Sequence, residues 1–86
     1  MYAFEVDALD RREVRVRVQA VGCVRIGWRK SVPCEIRDIS SGGARISVAE
    51  EIDLPEQFIL TSDLFEGRRV CLRRWECGTE TGVEFL

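Results

Sequence analysis

Val14, Val16, Val18 and Ala20 alternate with Arg15, Arg17, Gln19 and Val21. A period of two sends successive side chains to opposite faces, which is the geometry of an extended strand with one buried side. The pattern recurs along the chain. Cys34 and Ile36 alternate with Glu35 and Arg37. Ala44, Ile46 and Val48 alternate with Arg45 and Ser47, and Val70 and Leu72 alternate with Cys71 and Arg73. Two shorter runs, 58–61 and 79–86, complete the set. No segment keeps a helical period for more than about two turns. Six short strands punctuated by glycines predict an all-β domain, either a sandwich or a small closed barrel.

Local irregularities refine this picture. The first run extends through Cys23, Val24 and Ile26 to about Trp28, with Gly22 expected to mark a bulge or bend. Pro33, near the start of the second strand (32–39), predicts an edge position, because proline donates no ladder hydrogen bond. The alternation breaks at Arg73-Arg74-Trp75, which predicts a bulge. Segments 29–31, 40–43 and 65–67 and Gly78 carry turn residues. Trp28 and Trp75 are expected to close the barrel ends, with stacking on a nucleobase the alternative for each.

With 86 residues the chain makes one domain, read as an arm over residues 1–12 and a barrel over 13–86. No run approaches the ~18–20 apolar residues of a membrane span, so no membrane partner is expected. The start of the chain holds Glu5, Asp7 and Asp10 and lacks a basic region, unlike a secretory leader. A cytoplasmic protein is therefore expected, with Cys23, Cys34, Cys71 and Cys77 as free thiols. Their spacings match no zinc or thioredoxin pattern.

The formal net charge of −2 argues against a general binder of DNA or RNA, yet the charge is unevenly spread. Seven bases and two acids lie between Asp10 and Lys30, whereas 46–67 carries six acids and no base. One region can attract an anion while the molecule as a whole stays soluble. Catalysis is not expected. The chain has no histidine to act as a base near neutral pH. Ser40 near Asp38 lacks the imidazole of a triad, and no phosphate-cradling loop or metal-ligand cluster stands out.

Two segments carry the functional information: Arg11-x-x-x-Arg15 and Asp38-Ile39-Ser40-Ser41-Gly42-Gly43. Guanidinium forks match phosphate oxygens and the O6/N7 edge of guanine bidentately. A carboxylate accepts from N1–H and N2–H of guanine, and a hydroxyl serves either role. Glycine lets backbone approach a ligand closely. Each segment also has a plain reading. Strand arginines solvate an outer face, and Asp, Ser and Gly build tight turns. Arg45 either pairs with an acid across the sheet or lines the ligand groove. Arg12 and Arg17 are near enough to Arg15 to assist but are read as solvated.

In order and spacing, with 22 residues between Arg15 and Asp38, the two segments resemble the R-x-x-x-R and (D/N)-x-S-x-x-G motifs of the PilZ domain family. The stretches 42–46, 70–75 and 82–85 look like PilZ strands as well, so the resemblance covers roughly 11–86. It implies a six-stranded antiparallel β-barrel. The C-terminal helix of many family members is expected to be missing. It also implies a non-enzymatic bacterial receptor for cyclic di-GMP, with Arg11, Arg15, Asp38, Ser40 and Gly43 as ligand-binding residues and Arg12 and Arg45 as assisting ones. The arm would wrap over the ligand, no cofactor would be needed, and a downstream effector protein would read the ordered surface. The competing expectation is an adaptor that keeps the fold but binds no nucleotide. A single-strand nucleic-acid barrel is a third, weakened by the net negative charge.

Overall fold

Each alternating run becomes a strand: β1 (Val16–Ile26), β2 (Lys30–Ile39), β3 (Gly43–Ser47), β4 (Gln57–Ser62), β5 (Arg68–Cys77) and β6 (Glu80–Phe85). The computed structural model describes residues 15–27, 30–49 and 51–86. All strand pairs are antiparallel, and the sheet closes on itself in the order β1-β2-β3-β6-β5-β4, with β4 returning to β1. Of the two expected all-β forms, the protein takes the closed barrel. Closure pairs both edges that an open sheet would expose.

The interior is filled by Val24, Ile36, Ala44, Ile46, Leu60 and Cys71, each at most 1% exposed, with Val32, Cys34, Phe58 and Val83 around them. Burying each large aliphatic chain stabilises the fold by about 1.5–3 kcal/mol. The period of two holds in β2 as far as Arg37: Val32, Cys34 and Ile36 are buried, and Ser31, Pro33, Glu35 and Arg37 are exposed. In β1 it holds from Val18 onward. Val16, expected on the buried face, is 51% exposed because it lies at the open rim of the barrel.

Three local expectations are corrected. Lys30 and Ser31, expected in a turn, open β2 and pair with Ile26 and Arg25. Gly22 is not a bulge; it pairs regularly with Cys34 on one side and Ser62 on the other. Its smallness serves close packing. A Cβ there would sit 3.0 Å from Thr61 O, 3.1 Å from Cys34 Sγ and 3.1 Å from Ile36 Cδ1. The irregularity in β1 falls between Arg17 and Ala20 instead. Nor does Pro33 mark an edge strand, since the barrel has none. It is tolerated because β3 pairs with β2 only from Glu35 onward, leaving the start of β2 overhanging. The hairpin between β5 and β6 turns on Gly78 and Thr79. Gly78 has φ 63°, and no non-glycine residue among those described is left-handed. A left-handed first loop residue alone is the pattern of a type II′ turn.

All four cysteines are free thiols. Burial pushes the Cys34 thiol up to about 11, with nearby Cys23 adding to the shift and the Gly22 backbone opposing it. Burial likewise pushes Cys71 up to about 12, with Cys34 adding and Arg69 opposing. Near neutral pH, exposed Cys77 should react rapidly with a thiol reagent, and Cys34 and Cys71 only after denaturation. Fast labelling of either buried thiol would contradict this packing. Because both folded values lie above the ordinary 9.0, their stabilising contribution is complete below pH 9. It is lost as pH rises through about 11 and then 12, where the unfolded chain sheds protons first.

Candidate functional site on the outer barrel face

Residues paired across neighbouring strands point to the same face of a sheet. Following the pairs Arg17↔Asp38, Asp38↔Arg45, Arg45↔Gly82 and Gly82↔Trp75 traces one lateral row over five strands, β1-β2-β3-β6-β5. The row lies on the outer face. Its flanking pairs, Ile36↔Ile46 and Ala44↔Val83, belong to the core.

Three register shifts produce this alignment, between Arg17 and Ala20, Ile36 and Asp38, and Arg73 and Trp75. Each changes the pairing by one residue, and those in β2 and β5 also reverse facing: Asp38 and Trp75 lie two residues from Ile36 and Arg73, whose partners Ile46 and Val83 are buried, yet pair with the outer-face residues Arg45 and Gly82. Without the shift in β5, Trp75 would stand opposite Thr81, which is buried, and would point inward. With it, Trp75 stands opposite Gly82. The bulge expected at 73–75 is present, but Trp75 does not close a barrel end. It is 45% exposed, with its indole lying over Gly82. A Cβ on Gly82 would fall 2.1 Å from Trp75 Nε1 and 2.3 Å from Cε2. Trp28 lies outside the described residues.

Charges along the row alternate in sign. Arg15 Nη1 donates to Asp38 Oδ1 at 2.6 Å. Arg45 Nε lies 3.0 Å from Asp38 Oδ2, and Arg45 Nη1 donates to Glu80 Oε1 at 3.3 Å. The Asp38 side chain is only 12% exposed, while that of Arg15 is 56% exposed. A carboxylate so far from water requires cationic partners, and it has two. Among the described residues, the buried Arg45 Nε–H finds no hydrogen-bond acceptor. Its 3.0 Å contact with Asp38 is an ion pair in which the N–H is not aimed at the oxygen.

The second motif is therefore split between two places. Asp38 is not part of the tight turn; it belongs to β2, paired with Arg45. Ser40 closes the turn: its amide donates to Gly43 O at 2.8 Å and its hydroxyl to the same oxygen at 3.3 Å. Gly43 opens β3 with an ordinary strand φ and is not a left-handed turn residue. It is required by close approach, since a Cβ would sit 2.2 Å from the Val83 carbonyl oxygen.

Two shallow depressions flank Trp75 and Arg15. One, of about 300 Å³, is lined by Arg15, Gly42, Gly43, Arg74, Trp75 and Glu84 among others. The second, of about 440 Å³, is lined by Arg15, Arg17, Asp38, Ala44, Arg45, Trp75 and Gly82. Arg15, Asp38, Gly43 and Arg45 are thus brought together, and Arg17 joins them. Ser40 lines a separate depression with Val16, Ile39, Phe65 and Phe85. Arg11 and Arg12 lie outside the described residues. The arrangement offers an exposed guanidinium for an anion, a carboxylate acceptor beside it, and a flat indole face held by a glycine. Neither Trp75 nor Gly82 belongs to the two motifs, and the legible signal for them is the break in alternation at 73–75.

A family model described as the PilZ domain matches residues 9–85 of this chain. No curated protein matches it.

Proposed function

The chain belongs to the PilZ domain family, and from that premise we propose that it is a cytoplasmic bacterial receptor for cyclic di-GMP. The observation that carries this reading is the row Arg17–Asp38–Arg45–Gly82–Trp75, with Arg15 reaching over it. PilZ domains are binding modules, and this site has the chemistry of binding. Arg15, with Arg11 of the same motif, holds ligand phosphate. Asp38 accepts from N1–H and N2–H of guanine, a pattern that adenine lacks. Trp75 offers its face to the base. Ser40 acts indirectly by holding the turn that sets Gly43 against β6. The ligand needs no cofactor, and an effector protein reads the liganded surface. Four free thiols suit a reducing compartment, and among the described residues no helix is long and apolar enough to cross a membrane.

Calorimetry tests the reading, with cyclic di-GMP as ligand and cyclic di-AMP and GMP as controls. Clear preference for cyclic di-GMP is expected. Trp75→Ala should weaken binding by about 1–3 kcal/mol, the value of base stacking on an aromatic ring. Equal affinity for the two cyclic dinucleotides, or no heat from either, would instead identify an adaptor that kept the fold and not the ligand.

A further inference from the structure

The groups that should meet the nucleotide are bound to each other. Arg15 and Asp38 share a 2.6 Å hydrogen bond. When ligand phosphate draws Arg15 away, a carboxylate with only 12% exposure loses its closest counterion. Buried charge left unpaired is strongly unfavourable, so the exchange needs a second cation already in place. Arg45 occupies that position. It faces Asp38 from the adjacent strand, and its far end is pinned to Glu80 on β6. Its buried Nε–H finds no hydrogen-bond acceptor among the described residues while Arg15 holds the carboxylate. A small rotation of Asp38, freed from Arg15, would bring Oδ2 into line with that N–H.

We propose that Arg45 is a positioning residue. Pinned to Glu80, it takes over Asp38 as Arg15 leaves for the ligand and keeps that carboxylate aimed at the guanine edge. This inference rests on reading the site as a cyclic di-GMP receptor. It adds that guanine selectivity depends on a residue outside both motifs, one that holds Asp38 and does not itself grip the base. Side-chain placement is consistent with this role. The Arg45 side chain is 32% exposed, against 56% for Arg15, and both its contacts lie along the sheet.

The test measures affinity for cyclic di-GMP and cyclic di-AMP in wild type, Arg45→Gln, Arg45→Lys and Glu80→Gln, with thermal melts to verify folding. In Arg45→Gln, the preference for cyclic di-GMP should fall about tenfold or more, a change of ~1.4 kcal/mol. Arg45→Lys should restore part of it by supplying one cation. Glu80→Gln, which unpins Arg45 but keeps its charge, should lose less in the same direction, and it stands in if Arg45→Gln fails to fold. Wild-type selectivity in folded Arg45→Gln, or in Glu80→Gln where that variant must stand in, overturns the inference. Failure of the wild type to bind cyclic di-GMP overturns the receptor reading itself, and the inference with it. A readout without nucleotide separates the two. In Arg15→Ala, the Arg45 Nε–H resonance should move downfield and exchange more slowly as Asp38 turns to it. An unchanged resonance contradicts the takeover whatever the ligand proves to be.

Discussion

Arg15→Ala is expected to abolish binding of cyclic di-GMP and to leave the barrel folded. The two halves of this expectation rest on different properties of one side chain. Arg15 precedes β1 and is 56% exposed, so its ion pair with Asp38 contributes little to folding. Asp38 also has a second counterion in Arg45, 3.0 Å away. The change in stability should be only ~0.5 kcal/mol. In the proposed receptor role, however, Arg15 would make a charge-assisted contact with the ligand, whose loss should cost about 2–3 kcal/mol or more. That is roughly a 30- to 150-fold loss of affinity, readily resolved by calorimetry. Unfolding on substitution would make Arg15 a structural residue. A folded variant with wild-type affinity would make the assignment wrong and turn attention to Arg17, which lines the same depression, or to Arg12.

The largest effect on stability should come from Gly43→Ala. The new methyl group would sit 2.2 Å from the Val83 carbonyl oxygen, a backbone atom in the β3–β6 ladder. Phe85 N donates to Gly42 O at 2.8 Å and fastens the same seam. Backbone held in this way cannot step aside without opening the barrel. A destabilisation of about 3 kcal/mol is expected, lowering Tm by roughly 12–24 °C in a domain of this size. Gly82 makes the instructive comparison. A Cβ there meets the Trp75 ring at 2.1 Å, but that obstacle is an exposed side chain that can swing away. Gly82→Ala should therefore melt close to wild type while losing the indole platform. Equal melting temperatures for Gly43→Ala and wild type would show that the seam is not as tight as its geometry states.

Part of the site is legible in the amino-acid sequence. Chemistry and spacing single out Arg15, Asp38 and Gly43, and the fold brings them to one face together with Arg45. For Arg45 the sequence leaves two roles open, pairing across the sheet or lining a groove; the side chain does both. Gly43 matters for a reason other than the expected one. A glycine after Asp and Ser suggests a left-handed turn, whereas this one is a strand residue crowded by another strand. That crowding involves Val83, forty residues away in the chain, and no local pattern reports it. Trp75 departs from expectation for a similar reason. The break in alternation at 73–75 announces a bulge, but which face the ring takes depends on the partner that β6 sets opposite it.

The strands and the domain class were determined by the sequence itself, because alternation of side-chain direction is a property of a single extended chain. Turn positions came from the same local chemistry, as at Gly78 and 65–67. The tertiary structure alone decided that the sheet closes into a barrel and that three one-residue register shifts fall where they do. Those shifts carry Arg17, Asp38, Arg45, Gly82 and Trp75 into one row. Register is a relation between strands far apart in sequence, settled by which packing of the core buries most surface. A slip of a single residue reverses every side chain beyond it. The residues that make the site were thus present in the sequence, while their common face was set by the packing of the barrel beneath them.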